Sequence, residues 1–307
     1  MIRTSRSSKL PTETPVSFLV GRQESLDGPL FLCYLSFMLS PNSVVCGEAL
    51  NLFTHLSEGS IDLIVTSPPY NVGIEYDVYK DSLRVEEYHS WLRQVCQQIF
   101  RVLKPNCNAF INICDIGVSN RDAADQHKIG SRGNFYVVPH HTVVIDAMMN
   151  AGAQYLHPIF WKKPSNHCAQ FGANARFCGT YPYPRNCHVP SEVEYILHFR
   201  KNGIWQGVDK STKEASRLTK ERWLQLSGQV WDFNGQRDNQ HPAQFPLELP
   251  LRCIDGWSFV GDLVLDPFLG AGTTAVAASL RNRKYLGFEL SKPYCELAER
   301  RIQEARV

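Results

Sequence analysis

The stretch Val264-Leu265-Asp266-Pro267-Phe268-Leu269-Gly270-Ala271-Gly272-Thr273-Thr274 decides the fold class of this 307-residue chain. A short aliphatic run leads into a turn with two glycines, and helical spacing of apolar residues follows. Glycine at 270 and 272 lets the backbone approach a ligand closely, and the threonine pair can cap the helix. Asp266 ends the predicted strand, where open α/β sheets bind ligands. We therefore predict a strand, a ligand-binding turn and a helix.

The chain on both sides of this stretch alternates between strand and helix patterns. Short apolar runs bounded by turn residues predict strands at Ser43–Cys46, Ile61–Thr66, Asn108–Ile113, Gln154–Trp161, Val193–Phe199, Leu263–Leu265 and Tyr285–Phe288. Apolar residues at helical spacing predict helices at Glu86–Leu103, His140–Asn150, Pro246–Ile254, Thr273–Leu280 and Lys292–Ala305. Alternation of this kind predicts a doubly wound α/β sheet with helices on both faces.

The ligand of the glycine turn can be narrowed from the charges around it. Glu289 follows the next predicted strand, where an acid typically accepts hydrogen bonds from ribose hydroxyls. The turn lacks the G-x-G-x-x-G spacing of dinucleotide folds, and Asp266 would repel a pyrophosphate. A cationic adenosyl ligand without phosphate fits better, which favours S-adenosylmethionine over a nicotinamide cofactor. A purely structural turn is the alternative when the glycines are taken alone.

A second informative stretch, Thr66-Ser67-Pro68-Pro69-Tyr70, follows the predicted strand Ile61–Thr66. Two successive prolines remove two backbone donors and stiffen the turn. What remains is rich in acceptors: the Ser67 hydroxyl and the carbonyls of Ser67 and Pro68. Acceptors aimed at an exocyclic base amine localise its lone pair and stabilise the developing positive charge, and the Tyr70 ring can stack on a flipped base. A structural proline turn is the alternative for the tetrapeptide alone.

Basic residues are concentrated in one part of the chain. Residues 162–222 contain 11 Lys or Arg and 5 acids, a local net charge of +6 within a chain of net charge +2. This imbalance, with interleaved aromatics, predicts a surface that faces phosphates, and a solvated loop is the alternative. The predicted DNA contacts are Lys162, Lys163, Arg176, Arg185, Lys210, Lys213, Arg217 and Lys220.

Several classes of protein are disfavoured by composition. The ten cysteines show no close pairing, which indicates reduced thiols rather than a disulfide framework. The most apolar run, Leu30–Leu39, is too short to span a bilayer and is interpreted as a core or interface helix. With no signal peptide at the start, a cytoplasmic, nucleoid-associated enzyme is expected. Cys168, Cys178, Cys187 and His188 lack a C-x2-C pair, so no metal site is predicted.

Taken together, the two loops resemble those of the amino-methylating DNA methyltransferases of restriction–modification systems. The order, with the Ser-Pro-Pro-Tyr loop before the glycine turn, is similar to the β class, and the resemblance covers Val44 to Val307. Cys46-Gly47-Glu48 resembles the family's glycine–acid turn, which usually carries Asp. The segments Gln229–Phe233 and His241–Pro246 resemble the entry to the first cofactor helix.

The resemblance implies a Rossmann-like S-adenosylmethionine-dependent fold with a mostly parallel seven-stranded sheet. It implies catalytic roles for Ser67, Pro68, Pro69 and Tyr70. It implies cofactor contacts for Glu48, Thr66, His241, Pro242, Phe245, Pro246, Asp266, Pro267, Phe268, Gly270, Gly272, Thr273, Thr274 and Glu289. The expected domains are an N-terminal arm with an apolar helix (1–42), a catalytic half (43–163), a target-recognition insert with a core strand near 193–199 (164–239) and a cofactor-binding half (240–307).

The implied reaction is methyl transfer to duplex DNA by base flipping and direct in-line displacement. In this family Ser-Pro-Pro-Tyr accompanies cytosine N4 methylation, while Asp- or Asn-Pro-Pro-Tyr accompanies adenine N6, so N4 is expected and N6 is the alternative. Methylation of RNA or protein and a catalytically silent DNA-binding role are further alternatives. The recognition sequence, a cognate restriction endonuclease and a homodimer are left open.

Overall fold

A central β-sheet organises the chain around the glycine turn. The computed structural model describes residues 39–74, 76–79, 81–119, 135–163, 191–235 and 244–306, all within one unit, Met38–Val307. The strands in these ranges are β1 (Ser43–Cys46), β2 (Ile61–Thr66), β3 (Leu103–Ile113), β4 (Ile116–Ser119), β5 (Phe135–Val138), β6 (Ala153–Tyr155), β7 (Ile159–Lys162), β8 (Val193–Lys201), β9 (Val230–Asp232), β10 (Leu263–Asp266) and β11 (Lys284–Glu289).

The helices in the same ranges are α1 (Ala49–Phe53), α2 (Val85–Val102), α3 (His140–Asn150), α4 (Lys210–Ala215), α5 (Lys220–Ser227), α6 (Glu248–Trp257), α7 (Thr273–Leu280) and α8 (Lys292–Glu304). Every strand predicted from Ser43 onward, and every helix predicted from Glu86 onward, has an observed counterpart, which confirms the α/β fold class. The hairpin of β4 with β5 and the helices α4 and α5 were not predicted, because they are short and lack a long periodic pattern.

The main sheet has the strand order β1-β11-β10-β2-β3-β8-β7-β9, and β6 also pairs with β8. The five strands from β1 to β3 in this order are parallel to one another. We call the side where they end the carboxyl edge and the opposite side the amino edge. Because β8 is antiparallel to β3 and to β7, its first residues and the last residues of β7 also lie at the carboxyl edge.

The expectation of seven strands is wrong for the described residues, whose main sheet contains nine. The predicted strand Gln154–Trp161 is two strands, β6 and β7, both paired with β8. Pro158 lies between them and has no backbone N–H to donate to a ladder. The short strand β9 then extends the sheet beyond β7. Five of the eight strand pairings are parallel, so the sheet is mixed and mostly parallel.

Two apolar layers cover the sheet, one on each face. The first contains buried residues of α1, α2 and α3, and the second contains buried residues of α6, α7 and α8. Neighbouring residues of a strand point to opposite layers: Leu265 belongs to the first and Val264 to the second. This arrangement explains why strands such as β2 are apolar at nearly every position rather than at alternate ones.

Helix α2 shows how the sequence sets the bounds of one element. Its buried residues recur at helical spacing, and Glu86 and Glu87 occupy the first turn, where negative charge stabilises the helix dipole. The next residue, Leu103, is already extended (φ −67°, ψ 134°) and begins β3. The strand therefore starts five residues before the predicted Asn108, since Leu103 can pair with Ile61 before the register shifts.

Other bounds differ by a few residues. Helix α6 runs from Glu248 to Trp257, whereas Pro246–Ile254 was predicted. Of the predicted apolar helix Leu30–Leu39, only Leu39 lies within the described residues, and it is in a turn. In the part of the chain that the structure describes, no helix is both long enough and apolar enough to cross a membrane.

Candidate active site

A cavity of about 370 Å³ opens at the carboxyl edge of the sheet. Separate stretches of the chain meet there, among them the turn after β1, the loop after β2, the glycine turn after β10 and the end of β11. The predicted site residues that line it are Glu48, Ser67, Pro69, Phe245, Pro267, Phe268, Gly270, Thr273 and Glu289. The structure thus brings both informative stretches of the sequence to one cavity.

The glycine turn has the backbone that its glycines were predicted to allow. Gly270 and Gly272 have φ of 52° and 85°, in the left-handed region. A Cβ on Gly272 would lie 2.7 Å from Ala298 Cβ, so the second glycine is required by close packing against α8. Gly272, not a threonine, is the N-cap of α7. The predicted threonine cap is therefore wrong, because Thr273 and Thr274 lie inside the helix.

Asp266 stabilises the glycine turn through buried hydrogen bonds and does not line the cavity. Its carboxylate is buried and accepts hydrogen bonds from the Thr66 hydroxyl (2.7 Å), the Phe268 N–H (3.0 Å) and the Thr274 hydroxyl (2.7 Å). Burial raises the pKa of Asp266 to about 6, against the lowering effect of these donors. Thr66, Thr274, Gly272 and Pro246 likewise lie outside the cavity lining.

Glu289 and Glu48 present carboxylates to the cavity itself. Glu289 accepts from the backbone N–H groups of Gly270 and Ser291, both at 2.8 Å, and burial raises its pKa. Glu48 is the N-cap of α1 and accepts from Leu50 N (3.0 Å) and Asn51 N (2.8 Å). Each carboxylate oxygen has a further lone pair, so both acids retain capacity to accept from a ligand.

Aromatic side chains that the sequence analysis did not select form another wall. Tyr76, Tyr79, Trp91 and Tyr294 line the cavity, and the Trp91 ring lies 5.4 Å from that of Phe268. The Ser291 hydroxyl donates to Asp77 Oδ2 at 2.8 Å, which joins the loop after β2 to the end of β11. The two tyrosines Tyr76 and Tyr79, shortly after the proline loop, were the sequence feature from which this aromatic wall could have been predicted.

The Ser67–Tyr70 loop is fixed by contacts on both sides. Pro68 is buried and, unlike Ser67 and Pro69, is not among the residues that line the cavity. The Tyr88 hydroxyl of α2 donates to the Pro69 carbonyl at 2.7 Å. The following residues are held by the buried carboxylate of Asp81, which accepts from the backbone N–H groups of Asn71 (2.8 Å) and Val72 (2.9 Å). Such contacts give the loop the rigidity that its prolines predict.

The Tyr70 hydroxyl lies in a polar network and Tyr70 does not line the cavity. Its oxygen is 3.0 Å from Ser67 Oγ, 2.7 Å from Asn112 Nδ2 and 3.1 Å from Glu194 Oε2. Glu194 is in turn paired with Lys163. Burial, with the nearby Glu194 charge, raises the pKa of Tyr70 well above its usual value. Asn112 and Glu194 were missed, although a polar residue inside an apolar strand was a usable signal.

The predicted basic residues divide between the two edges of the sheet. Lys162 ends β7 at the carboxyl edge and Lys163 follows it; Lys162 lies 3.7 Å from Asp232 Oδ2, and Lys163 is paired with Glu194. By contrast, Arg217 lines a second cavity together with Asp62 and Lys104, at the amino edge. Lys210, Lys213 and Lys220 belong to the adjoining helices α4 and α5. Arg176, Arg185, His241 and Pro242 lie outside the described residues.

Metal-binding side chains do not cluster in the described ranges: there, no three His, Cys, Asp or Glu residues are placed to hold a metal ion. The cysteines and histidine considered for zinc, Cys168, Cys178, Cys187 and His188, lie outside those ranges.

The lining of the cavity fits an adenosyl sulfonium ligand. Aromatic and apolar side chains suit an adenine ring, and the two glutamates suit hydroxyl donors. No Lys or Arg is among its described lining residues, which is unfavourable for a pyrophosphate and acceptable for a cation. S-adenosylmethionine therefore fits the residues present.

Comparisons with known proteins agree with this geometry. The N6_N4_Mtase family model, DNA methylase, matches residues 61–300. Type II methyltransferase M.MjaI of Methanocaldococcus jannaschii is 33% identical over 85% of this chain and 91% of its own length. Orphan methyltransferase M.BamHII of Bacillus amyloliquefaciens is 55% identical over 81% of this chain and 91% of its own.

Solved structures show the same fold. TTHA0409, a putative DNA modification methylase of Thermus thermophilus complexed with S-adenosyl-L-methionine, has a TM-score of 0.68 at 33% identity, covering 85% of this chain and 93% of its own. The cytosine-N4-specific PvuII DNA methyltransferase shares the fold, with a TM-score of 0.59 at 21% identity over 88% and 92% of the two chains. The chain belongs to the N6/N4 DNA methylase family and is an S-adenosylmethionine-dependent DNA methyltransferase that modifies a base amino group.

Proposed function

We propose that this enzyme methylates the exocyclic N4 of cytosine in duplex DNA, by base flipping and direct in-line transfer. The observation that carries the proposal is the position of Ser67. Ser67 lines the cavity beside the glycine turn, on a loop held by buried partners. Serine offers a short, neutral acceptor, which suits the amine of a pyrimidine, whereas Asp or Asn offers a different reach and charge.

The proposed contribution of the Ser67–Tyr70 loop to catalysis is electrostatic stabilisation. When bound, S-adenosylmethionine supplies an electrophilic methyl group on a positively charged sulfur. The Ser67 hydroxyl and the Pro68 carbonyl accept from the N–H groups of the amine, which localises its lone pair and stabilises positive charge on nitrogen. Tyr70 does not line the cavity, and the contact of its ring with a flipped base is a prediction from the family pattern. No cysteine nucleophile is needed, because the methyl passes directly to the amine nitrogen.

The cofactor contacts are proposed in two groups. Glu289, Glu48, Phe268, Phe245 and Gly270 line the cavity and would contact S-adenosylmethionine directly, together with Pro267 and Thr273. Asp266, Thr66, Thr274, Gly272 and Pro246 would act by holding the turn in shape. His241 and Pro242 remain predictions from the family pattern.

DNA is proposed to approach the carboxyl edge, because a flipped base has to reach Ser67 there. Lys162 ends β7 at this edge. The segment 164–190 follows Lys163 and precedes Ser191, and both of these residues lie next to strand ends at the same edge. This placement favours 164–190, with Arg176 and Arg185, as the part of the proposed insert 164–239 that recognises the target. Contacts by Lys210, Lys213, Arg217 and Lys220 would need DNA to reach the amino edge as well. A cognate endonuclease and a homodimer are not required.

The deciding experiment identifies the product. The purified protein is incubated with unmethylated genomic DNA and labelled S-adenosylmethionine, and the DNA is digested to nucleosides for mass spectrometry. We expect the label in N4-methylcytosine. Label in N6-methyladenine would keep the enzyme class and reject the serine argument. Binding of S-adenosylmethionine without DNA labelling would reject the proposed reaction, and a competition assay against single-stranded RNA would then test the RNA alternative.

A further inference from the structure

The polar network behind Ser67 connects four parts of the chain. Ser67 and Tyr70 come from the loop after β2, Asn112 from β3, Glu194 from the start of β8, and Lys163 from the residue after β7. Asn112 and Glu194 are only 2% and 6% exposed. Buried polar groups of this kind are costly unless their hydrogen bonds are satisfied, so the proton positions in the network are constrained.

The protons can be assigned one group at a time. Glu194, paired with the Lys163 ammonium, is a carboxylate that only accepts. The Asn112 amide directs its nitrogen to Glu194 Oε2 at 2.8 Å and to the Tyr70 oxygen at 2.7 Å. The reversed amide would set its oxygen against the carboxylate. Asn112 thus donates both its protons, and its contact with Ser67 Oγ at 3.5 Å is too long to matter.

The Tyr70 proton then has two candidate acceptors, Glu194 Oε2 at 3.1 Å and Ser67 Oγ at 3.0 Å. An ionised carboxylate is the stronger acceptor, so the proton lies toward Glu194. The raised pKa of Tyr70 keeps that proton on the phenol. With one lone pair of its oxygen facing Asn112, Tyr70 has one left, which accepts the proton of Ser67.

We propose that Glu194 is a positioning residue that, through Tyr70, fixes Ser67 as a hydrogen-bond acceptor toward the target amine. This inference rests on the proposed function of Ser67 and adds the residue that sets the direction of its hydroxyl. With its own proton committed to Tyr70, Ser67 has both lone pairs available to accept from the target amine. Without the Glu194 charge, Tyr70 donates to Ser67 instead, and the Ser67 proton is left facing an amine that needs acceptors.

The first test is a double-mutant cycle with Glu194→Gln and Tyr70→Phe. In the wild-type background we expect Glu194→Gln to lower kcat about 10- to 100-fold. This loss is no larger than the loss expected when one direct hydrogen bond to the transition state is removed. The dissociation constant for S-adenosylmethionine should stay within about twofold. Because Glu194 acts through Tyr70, the same change in the Tyr70→Phe background should lower kcat less than about twofold. Equal effects in both backgrounds, or no loss of kcat, would overturn the proposal.

Asp255→Asn is the matched control. Asp255 is also a buried carboxylate, and it pairs with Arg222 (2.8 Å) and Arg281 (2.7 Å) far from the loop after β2. We expect this variant to lower the free energy of unfolding while leaving kcat unchanged. A loss of kcat comparable with that of Glu194→Gln would show that any broken buried ion pair has this effect, and would overturn the specific role of Glu194.

A second measurement uses the wild-type protein, so it requires neither an activity assay nor a correctly folded variant. Neutron diffraction from the wild-type protein locates the exchangeable deuterons of Tyr70 and Ser67 directly. We expect the Tyr70 deuteron on the side of Glu194 and the Ser67 deuteron on the side of Tyr70. A Tyr70 deuteron directed at Ser67 would refute the inference even if the enzyme methylates cytosine. Conversely, the expected positions in a protein that labels no DNA would leave the network intact and reject only the proposed function.

Discussion

The cofactor side and the catalytic side of the cavity are built in different ways. On the cofactor side, Asp266, Gly270, Gly272 and Glu289 come from one stretch of fewer than thirty residues. They contact one another or nearby residues of the chain, and Asp266 in addition accepts from the distant Thr66. On the catalytic side, Ser67 depends on residues up to 127 positions away, such as Glu194. A site formed by residues close together in the chain can be recognised as a sequence motif. A site that depends on residues from distant strands cannot.

The largest effect is expected on the cofactor side, from Gly272→Ala. A side chain there meets a φ of 85° and comes within 2.7 Å of Ala298 Cβ. The combined backbone strain and overpacking should lower the free energy of unfolding by about 2–5 kcal/mol, measured by urea denaturation. Gly261 is the control, since it has a φ of 88° and an open surrounding, and Gly261→Ala should cost only about 1–2 kcal/mol. Equal losses would mean that packing against α8 is unimportant.

The corresponding change on the catalytic side is Ser67→Ala. It removes an acceptor but no packing, so we expect kcat to fall about 100-fold, which is about 2.7 kcal/mol of transition-state stabilisation. Binding of S-adenosylmethionine, followed by calorimetry, should be unchanged. Ser60→Ala serves as the control, because that hydroxyl donates to Ser57 O at the amino edge. A variant with full kcat would show that Ser67 does not contact the amine.

A further test distinguishes the roles of two acidic residues on the cofactor side, Glu289 and Asp266. Glu289 lines the cavity, so Glu289→Gln should raise the dissociation constant for S-adenosylmethionine about 10-fold or more, as expected for loss of one charged hydrogen bond. Asp266 receives only protein donors, so Asp266→Asn should mainly lower the free energy of unfolding, by about 1–3 kcal/mol. Calorimetry and urea denaturation of both variants provide the comparison. If Asp266→Asn weakened cofactor binding more than Glu289→Gln, the division into contact and support would be wrong.

The smallest effect is expected for single basic residues at the two edges of the sheet. Lys162→Ala should reduce the slope of log binding constant against log salt concentration by about 1, as for one phosphate contact. Lys213→Ala, on α4 at the amino edge, should leave that slope unchanged, because its ammonium lies 5.1 Å from the Trp205 ring, away from Ser67. Filter-binding titrations with duplex DNA measure both. The opposite result would place the duplex at the amino edge.

Most of the sheet was predictable because its strands are continuous apolar runs between turn residues. The strand Ile61–Thr66 and the helix His140–Asn150 were predicted with their observed bounds. The break between β6 and β7 was not, although Pro158 signals it, since only the pairing of both pieces with β8 reveals two strands. The threonine cap of α7 was wrong because the helix already begins at Thr273, so Gly272, with its left-handed backbone, occupies the N-cap position.

The sequence by itself determined the fold class, the cofactor turn and the proline loop, because each is encoded by neighbouring residues whose backbone preferences are local. Only the tertiary structure decided that Asp266 supports the turn while Glu289 faces the cavity. It also decided that Tyr70 meets Asn112 and Glu194, and that the basic residues divide between two edges. The physical reason is that strand order and register bring together residues far apart in the chain, and no local preference encodes such a pairing.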